Sequence, residues 1–388
     1  MTPTNASPSP FPSSPSPGDP SAGETGEKRV VVVGAGYAGL MCALRLAPHA
    51  HVTLVDPADR FTERVRLHER AAGRPDVTHA LGPFLRPTGV THVASRAAVL
   101  DPGAREVHTD DGRVLPYDRL VLALGSRTRS AEPGDRDRAY TVESATELHK
   151  RLQDGPGTLT VVGGGLTGIE LAAELAETHS HWRVGLLTKD VVGPGLSDKG
   201  RAHVRSALAV RGVRVEEGRG ASGPDDIDTD VVVWAASMTP NTEPARAAGI
   251  ATDAGGRVEV DAALRSVSHP EVYAAGDSAA GHSATAGSLR MGCAAALPGG
   301  SQAATAIIAD LRGEEPEPLG FSYHLQCLSL GRRDGLVQFV RADDSPRDRV
   351  LTGRPAAYVK EGIVRSTVGA LRMASRRPEL LPRVPGFG

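Results

Sequence analysis

With 388 residues the chain is long enough to bury two or three cores, and its net charge of −2 gives no pull toward nucleic acid or acidic partners. Three cysteines, Cys42, Cys293 and Cys327, lie far apart and form no CxxC. That leaves zinc, a vicinal dithiol and a disulfide framework without support.

Residues 1–27 are dominated by Pro, Ser, Thr and Gly without an apolar stretch, the composition of a disordered tail rather than of a secretory signal. No run approaches the roughly 18 apolar residues of a spanning helix, so a cytoplasmic location is expected. The valines of Arg29–Val33 predict a buried strand, followed by the turn Gly34-Ala-Gly36-Tyr37-Ala38-Gly39 and a helix to about Leu46. Strand His51–Val55 ends at Asp56, 56 − 34 = 22 residues past the first glycine of the turn, the spacing of a carboxylate that holds ribose hydroxyls. Tyr117 to Ser126 reads as a strand running into a turn at Gly125.

Roughly 130 residues after the first turn, Thr158–Val162 enters a second one, Gly163-Gly-Gly165-Leu166-Thr167-Gly168. In such a loop the first glycine permits a tight turn and the second lets backbone N–H groups approach a pyrophosphate. The third lets helix and strand pack closely, and the helix N-terminus favours the phosphate charge. Two loops, each behind a run of apolar β-formers, imply two dinucleotides. Asp230 to Ser237 repeats the form of Tyr117 to Ser126. Then Glu271-Val-Tyr-Ala-Ala-Gly276-Asp277 gives a short strand, a glycine and an acid before a helix from Met291 to about Leu311.

The order GxGxxG, ALGS, GGGxTGxE, VVVWAAS and YAAGD resembles the two-dinucleotide-binding flavoprotein reductases, and within them the type II NADH dehydrogenases. The resemblance covers roughly residues 29–312. It implies an α/β protein with two Rossmann-like, doubly wound domains, the second inserted in the first. The FAD-binding domain would span 28–142 and 252–312, and the NAD(P)H-binding domain 143–251. A small C-terminal α+β interface domain would span 313–388. By the same resemblance Gly34, Gly36, Tyr37, Ala38, Gly39 and Asp56 would bind the adenosine and pyrophosphate of FAD, with Gly125, Gly276 and Asp277 toward the ribityl chain. Gly163, Gly165, Leu166, Thr167 and Gly168 would seat NADH or NADPH, and Glu170 would point toward the nicotinamide and flavin junction.

Where disulfide reductases carry a redox cysteine pair, this chain has Phe61-Thr-Glu-Arg64-Val-Arg66-Leu-His68, which offers no thiol. Arg64, Arg66 or His68 would instead stabilise charge on reduced flavin or relay a proton, against the plainer reading of a solvated basic helix. The glutamines that type II dehydrogenases usually carry after the AxGD turn are replaced by Cys293-Ala294 and Gly299-Gly300, and Pro298 stands between them. The second unit's strand, Trp182 to Leu187, ends at Thr188-Lys189 where an NADH-selective protein often has a carboxylate. Discrimination against a 2′-phosphate is thereby weakened.

In the C-terminal region Phe321 to Leu330 and Gly335 to Val340 have strand character, with Cys327 as sheet filler or a reactive thiol. Ala356 to about Arg377 reads as a helix. Val359, Ile363, Val364, Val368 and Leu371 form an apolar set, and Lys360, Arg365, Arg372, Arg376 and Arg377 carry positive charge. It would rest on anionic lipid at the inner face of the cell membrane, on the protein's own body or on a twin subunit in a homodimer.

The whole implies an FAD-dependent NAD(P)H oxidoreductase that passes electrons to a quinone-like small acceptor. Two rivals stand beside it: a reductase of a ferredoxin-like protein carrier, and a redox-sensing flavoprotein with little turnover, similar to apoptosis-inducing factor.

Overall fold

The computed structural model describes residues 28–74, 77–129 and 138–378, so the tail expected over 1–27 lies outside the described residues. Four consecutive β-branched residues give Arg29–Val33 no polar face, and Val30 to Val33 are all buried. Such a strand belongs in the middle of a parallel sheet covered on both sides. It is the central strand of an all-parallel sheet with the order Val272–Ala274, Arg119–Leu122, Arg29–Val33, His51–Val55, Thr91–Val93.

A second all-parallel sheet repeats this plan in the order Ala139–Thr141, Val231–Trp234, Gly157–Val162, Trp182–Thr188, Arg214–Glu217. Each central strand enters its glycine turn and then a helix, Tyr37–Leu46 in the first and Leu166–Thr178 in the second. The repeat is imperfect at one edge. The first sheet takes its outer strand from after the second sheet, whereas the second takes Ala139–Thr141 from just before the boundary expected at 143. An antiparallel ladder of Ser126–Thr128 with Met238–Pro240 pins the two crossings between the sheets together. Asn241 adds a 3.0 Å hydrogen bond from its amide to the Leu124 carbonyl.

The helix Cys293–Leu311 runs unbroken through Pro298 and lies against Tyr37–Leu46. Small residues make that approach possible: a Cβ on Gly300 would stand 2.1 Å from the Ala38 carbonyl oxygen. Leu40, Met41, Leu44, Ala303, Ala304 and Ile307 fill the joint core. Beyond it comes an antiparallel sheet of Leu325–Ser329, Gly335–Val340 and Pro346–Thr352, then the helix Gly353–Arg376. Pro346–Thr352, rich in charge, escaped the sequence reading.

The C-terminal helix spends its apolar face on the protein's own body. Val364, Val368 and Leu371 are buried, and the last two join the core of the first unit. Lys360, expected among the outward positive charges, is buried instead, because a carboxylate waits for it inside. Arg365, Arg372, Arg376 and Arg377 do face outward, beside exposed Tyr358, Val359 and Met373. Among the described residues no helix is long and apolar enough to cross a membrane.

Candidate functional site

Each glycine turn has a first and a last glycine with no room for a side chain and a middle one with nothing in front of it, and in the second turn Gly164 is crowded as well. Gly34 has φ +104°, and a Cβ there would stand 2.3 Å from the Ala123 carbonyl oxygen; on Gly39 it would stand 1.8 Å from the Gly34 oxygen. Gly36 between them meets no atom within 4 Å. The second turn matches. Gly163 has φ +129° with Ala235 at 2.9 Å, Gly168 would strike the Gly163 oxygen at 1.9 Å, and Gly165 is open. Gly36 and Gly165 stand at the starts of the two helices, and neither helix start is capped by a side chain. The first-turn N–H groups, from Tyr37 and Ala38 or from Leu166 and Thr167, thus lie at uncapped helix ends that suit a phosphate.

Asp56 takes two backbone hydrogen bonds, its Oδ2 from the Ala35 N–H at 2.7 Å and its Oδ1 from the Ala58 N–H at 2.9 Å. The carboxylate is thereby fixed at the lip of the first turn. Asp277 gathers two distant segments: Ser126 donates to its Oδ2 and the Gly292 N–H to its Oδ1, each at 2.7 Å. The latter bond braces the backbone just before the Cys293–Leu311 helix, so the acid acts partly as a turn brace. Gly276, at φ +71°, lets this corner approach Ala38, where an added Cβ would come within 3.0 Å of the Ala38 Cβ. Gly125, at φ +65°, is open. Beside them lies a small pocket, with room for little more than a water, lined by Gly276, Arg290, Met291, Ala295 and Gly299 among others.

A buried polar centre is assembled from residues far apart in the chain. Glu170, on the Leu166–Thr178 helix, accepts from Lys360 Nζ at 2.5 Å and from the Ser329 N–H at 2.8 Å, all through Oε1. Its Oε2 lies 3.8 Å from His68 Nδ1. The Lys360 side chain is only 9% exposed. Burial favours the neutral amine, but Glu170 outweighs it and holds the ammonium pKa above its ordinary value. His68 is 3% exposed and its Nε2 has no hydrogen-bond partner. Burial first, then the cations Lys360, Arg332, Arg66 and Arg74, keeps its pKa well below the usual histidine value, so the ring is neutral. One turn beyond Glu170, the fully buried Glu174 is held by Arg74 at 2.9 Å and Arg332 at 2.6 Å.

The three basic residues singled out near position 66 therefore part company. His68 joins the polar centre. Arg66, 12% exposed, is enclosed by Glu63, Glu69 and Glu361 at 3.2, 3.0 and 2.9 Å. Arg64 points to the surface and pairs with Glu143 at 2.8 Å. The solvated basic helix is not found, because Leu67, His68, Glu69 and Ala71 all face inward. Sequence reasoning missed Lys360; its only signal was a lone lysine on an apolar helix face, between Ala356 and Val364. The cysteines are free, and burial pushes Cys42 and Cys327 up to about 12 and raises Cys293, so all three sit as protonated thiols.

A family model for pyridine nucleotide-disulphide oxidoreductases matches residues 28–295. The chain belongs to this family. It is 30% identical over 375 residues to the NADH dehydrogenase-like protein of Mycobacterium tuberculosis strain CDC 1551 / Oshkosh, spanning 86% of this chain and 92% of that protein. It is 27% identical to the alternative NAD(P)H-ubiquinone oxidoreductase C1 of Arabidopsis thaliana, over 80% of this chain and 72% of that one. In structure it is similar to the sulfide:quinone oxidoreductase of Aquifex aeolicus, with TM-score 0.73 and 20% identity over 92% of this chain and 96% of that one. That last likeness speaks for the fold alone. As a family member the protein is an NAD(P)H oxidoreductase with the α/β architecture its motifs imply.

Proposed function

We propose that this family member is an FAD-dependent NAD(P)H dehydrogenase that passes electrons to a quinone or a similar small acceptor. The observation that carries the reading is the pair of open-glycine turns, two uncapped helix starts of the same design in one chain, each of a shape that suits a pyrophosphate. Gly34, Gly36 and Gly39, with the N–H groups of Tyr37 and Ala38, would take the FAD pyrophosphate, and Asp56 the adenosine ribose. Gly125, Gly276 and Asp277 would meet the ribityl chain near the pocket at Met291. Gly163, Gly165 and Gly168, with the N–H groups of Leu166 and Thr167, would take the nicotinamide nucleotide's pyrophosphate.

When bound, FAD would supply the redox chemistry, accepting hydride from NAD(P)H and delivering two electrons to the acceptor. The chain's own residues position the partners and manage protons. Glu170 sits just past the second cradle, and Lys360 fixes its carboxylate. Quinone reduction consumes a proton, and the Lys360 ammonium holds one at Glu170 while His68 stays neutral beside it. Arg64 drops out of the proposed site because Glu143 already engages it.

In this reading 28–142, apart from strand Ala139–Thr141, and 252–312 serve FAD, 143–251 with that strand serves NAD(P)H, and residues 313–378 close over the junction. The protein works in the cytoplasm, and the outer face of the Gly353–Arg376 helix is the surface for peripheral membrane contact or a homodimer. An anaerobic titration with NADH or NADPH, following the visible flavin band, tests the function. Bleaching by a nucleotide and recovery with a soluble quinone is the expected result. Recovery only with a ferredoxin-like carrier would move the acceptor to a protein. A stable charge-transfer band without turnover would favour the sensing role, and a colourless protein after FAD addition would end the reading.

A further inference from the structure

We propose that Thr188 and Lys189 form a 2′-phosphate site, so that the coenzyme of this chain is NADPH rather than NADH. The inference rests on the reading of the second turn as the nicotinamide nucleotide's cradle. Backbone hydrogen bonds set the two units in register. The Gly34 N–H donates to the Val55 carbonyl at 2.9 Å, and the Gly163 N–H donates to the Leu187 carbonyl at 2.8 Å. Val55 and Leu187 are therefore equivalent, and the residue after each stands at the same place beside its turn. In the first unit that residue is Asp56; in the second it is Thr188.

The difference is one of charge. A carboxylate at this place accepts from ribose hydroxyls and repels a phosphate on the 2′ position; a hydroxyl donates to that phosphate. Thr188 lies against the turn, with its Oγ1 2.6 Å from where a Cβ on Gly164 would be. A bulkier residue at 164 would displace it. Lys189 follows directly and is exposed, and among the described residues no hydrogen bond or ion pair ties its ammonium down. Its stem runs along Gly220, and the neighbouring Arg219 N–H donates to the Thr188 carbonyl at 3.1 Å.

The two glutamates nearby are engaged elsewhere. Glu216 pairs with Arg214 and Arg219, each at 3.0 Å, and Glu217 accepts from Arg205 and from the Val192 N–H, each at 2.7 Å. Asp190 is exposed one residue further from the strand end. The lip of the second cradle thus carries an exposed, unpaired lysine and a largely buried hydroxyl, with Asp190 next in the chain, where the first carries a fixed carboxylate.

Calorimetry on the FAD-supplemented full chain decides the matter without relying on turnover. The probes are adenosine 2′,5′-bisphosphate and adenosine 5′-monophosphate. The bisphosphate is expected to bind about tenfold or more tightly than the monophosphate, the gain of a charge-assisted contact. Lys189→Ala should collapse that ratio toward one, and Thr188→Asp should invert it. Equal affinities in the wild type, or a Lys189→Ala variant that keeps the ratio, would overturn the proposal while leaving the cradle intact. If neither probe binds, the second turn is not a nucleotide site and the dehydrogenase reading falls with it. Lys189 is exposed, so its substitution does not threaten the fold.

Discussion

In the unit built on Arg29–Val33 the turn is lipped by a carboxylate, Asp56, and its helix lies against Cys293–Leu311 through small residues packed backbone to backbone. In the unit built on Gly157–Val162 the lip is Thr188. The helix after the turn carries Glu170, Glu174 and Glu177, which Lys360, Arg74, Arg332 and Arg211 clamp. The turns themselves are near copies, each with an open middle glycine between a blocked first and a blocked last one, and Gly164 is crowded in addition in the second. The contrast separates two jobs. Turn geometry sets the ability to hold a pyrophosphate, and the residues at the lip and on the helix set which nucleotide is held and what lies beside it.

The sharpest way to break the second unit is to remove one member of its buried ion pair. Lys360→Met leaves Glu170 buried with only the Ser329 N–H and should cost about 3–5 kcal/mol in denaturant unfolding. The double variant Glu170→Leu/Lys360→Met should recover much of that loss, since an apolar pair carries no uncompensated charge. The corresponding break in the first unit is steric. Gly300→Ala drives a Cβ against the Ala38 backbone, which cannot turn aside, and should lower stability by about 1–3 kcal/mol in the same measurement.

Filling the open glycines tells the cradles apart without unfolding either. Gly36→Ala should release FAD, weakening it by about 1.5–3 kcal/mol, while Gly165→Ala should keep the yellow colour and weaken the nicotinamide nucleotide by a similar amount. Fluorescence quenching of the flavin and anaerobic titration read the two effects. Loss of FAD in both variants would show that the units are not independent cradles.

The effect that is smallest near neutral pH concerns the seam between the units. His68 is held neutral in the fold, so below its ordinary value of about 6.5 the unfolded chain binds a proton that the folded one does not. The stability from this site is thus present above that pH and is lost as pH falls. His68→Gln should remove this dependence, leaving the variant gaining on the wild type by up to about 1.4 kcal/mol for each pH unit below 6.5. Chemical denaturation at pH 7, 6 and 5 checks the slope.

Much of the first unit was legible because its signals are local. Arg29–Val33 and His51–Val55 fall where the valine run and the Asp56 spacing put them, since a strand with no polar face has few alternatives. The short strand before Gly276 and the helix ending at Leu311 were equally clear from their flanking glycines and small residues. Ala139–Thr141 was not, because three residues with no periodicity become a strand only by pairing with Val231–Trp234. Arg64, Arg66 and His68 looked interchangeable in the chain, two or four residues apart. Their fates diverged because Glu143, the acidic cage of Glu63, Glu69 and Glu361, and Glu170 come from different parts of the molecule.

The sequence by itself determined the two turns, since glycine at a positive φ and at a backbone contact is a requirement of covalent geometry that a short motif can state in full. It also determined that no thiol stands at Phe61 to His68. Only the tertiary structure decided that Lys360 faces Glu170 rather than lipid, and it fixed through hydrogen-bond register the match of Thr188 to Asp56 that the resemblance implied. Both depend on pairings across long stretches of chain, a helix end docked 190 residues from its partner and a hydrogen-bond register shared by two sheets. Side-chain charge is written in the sequence; which charge it meets is set by packing.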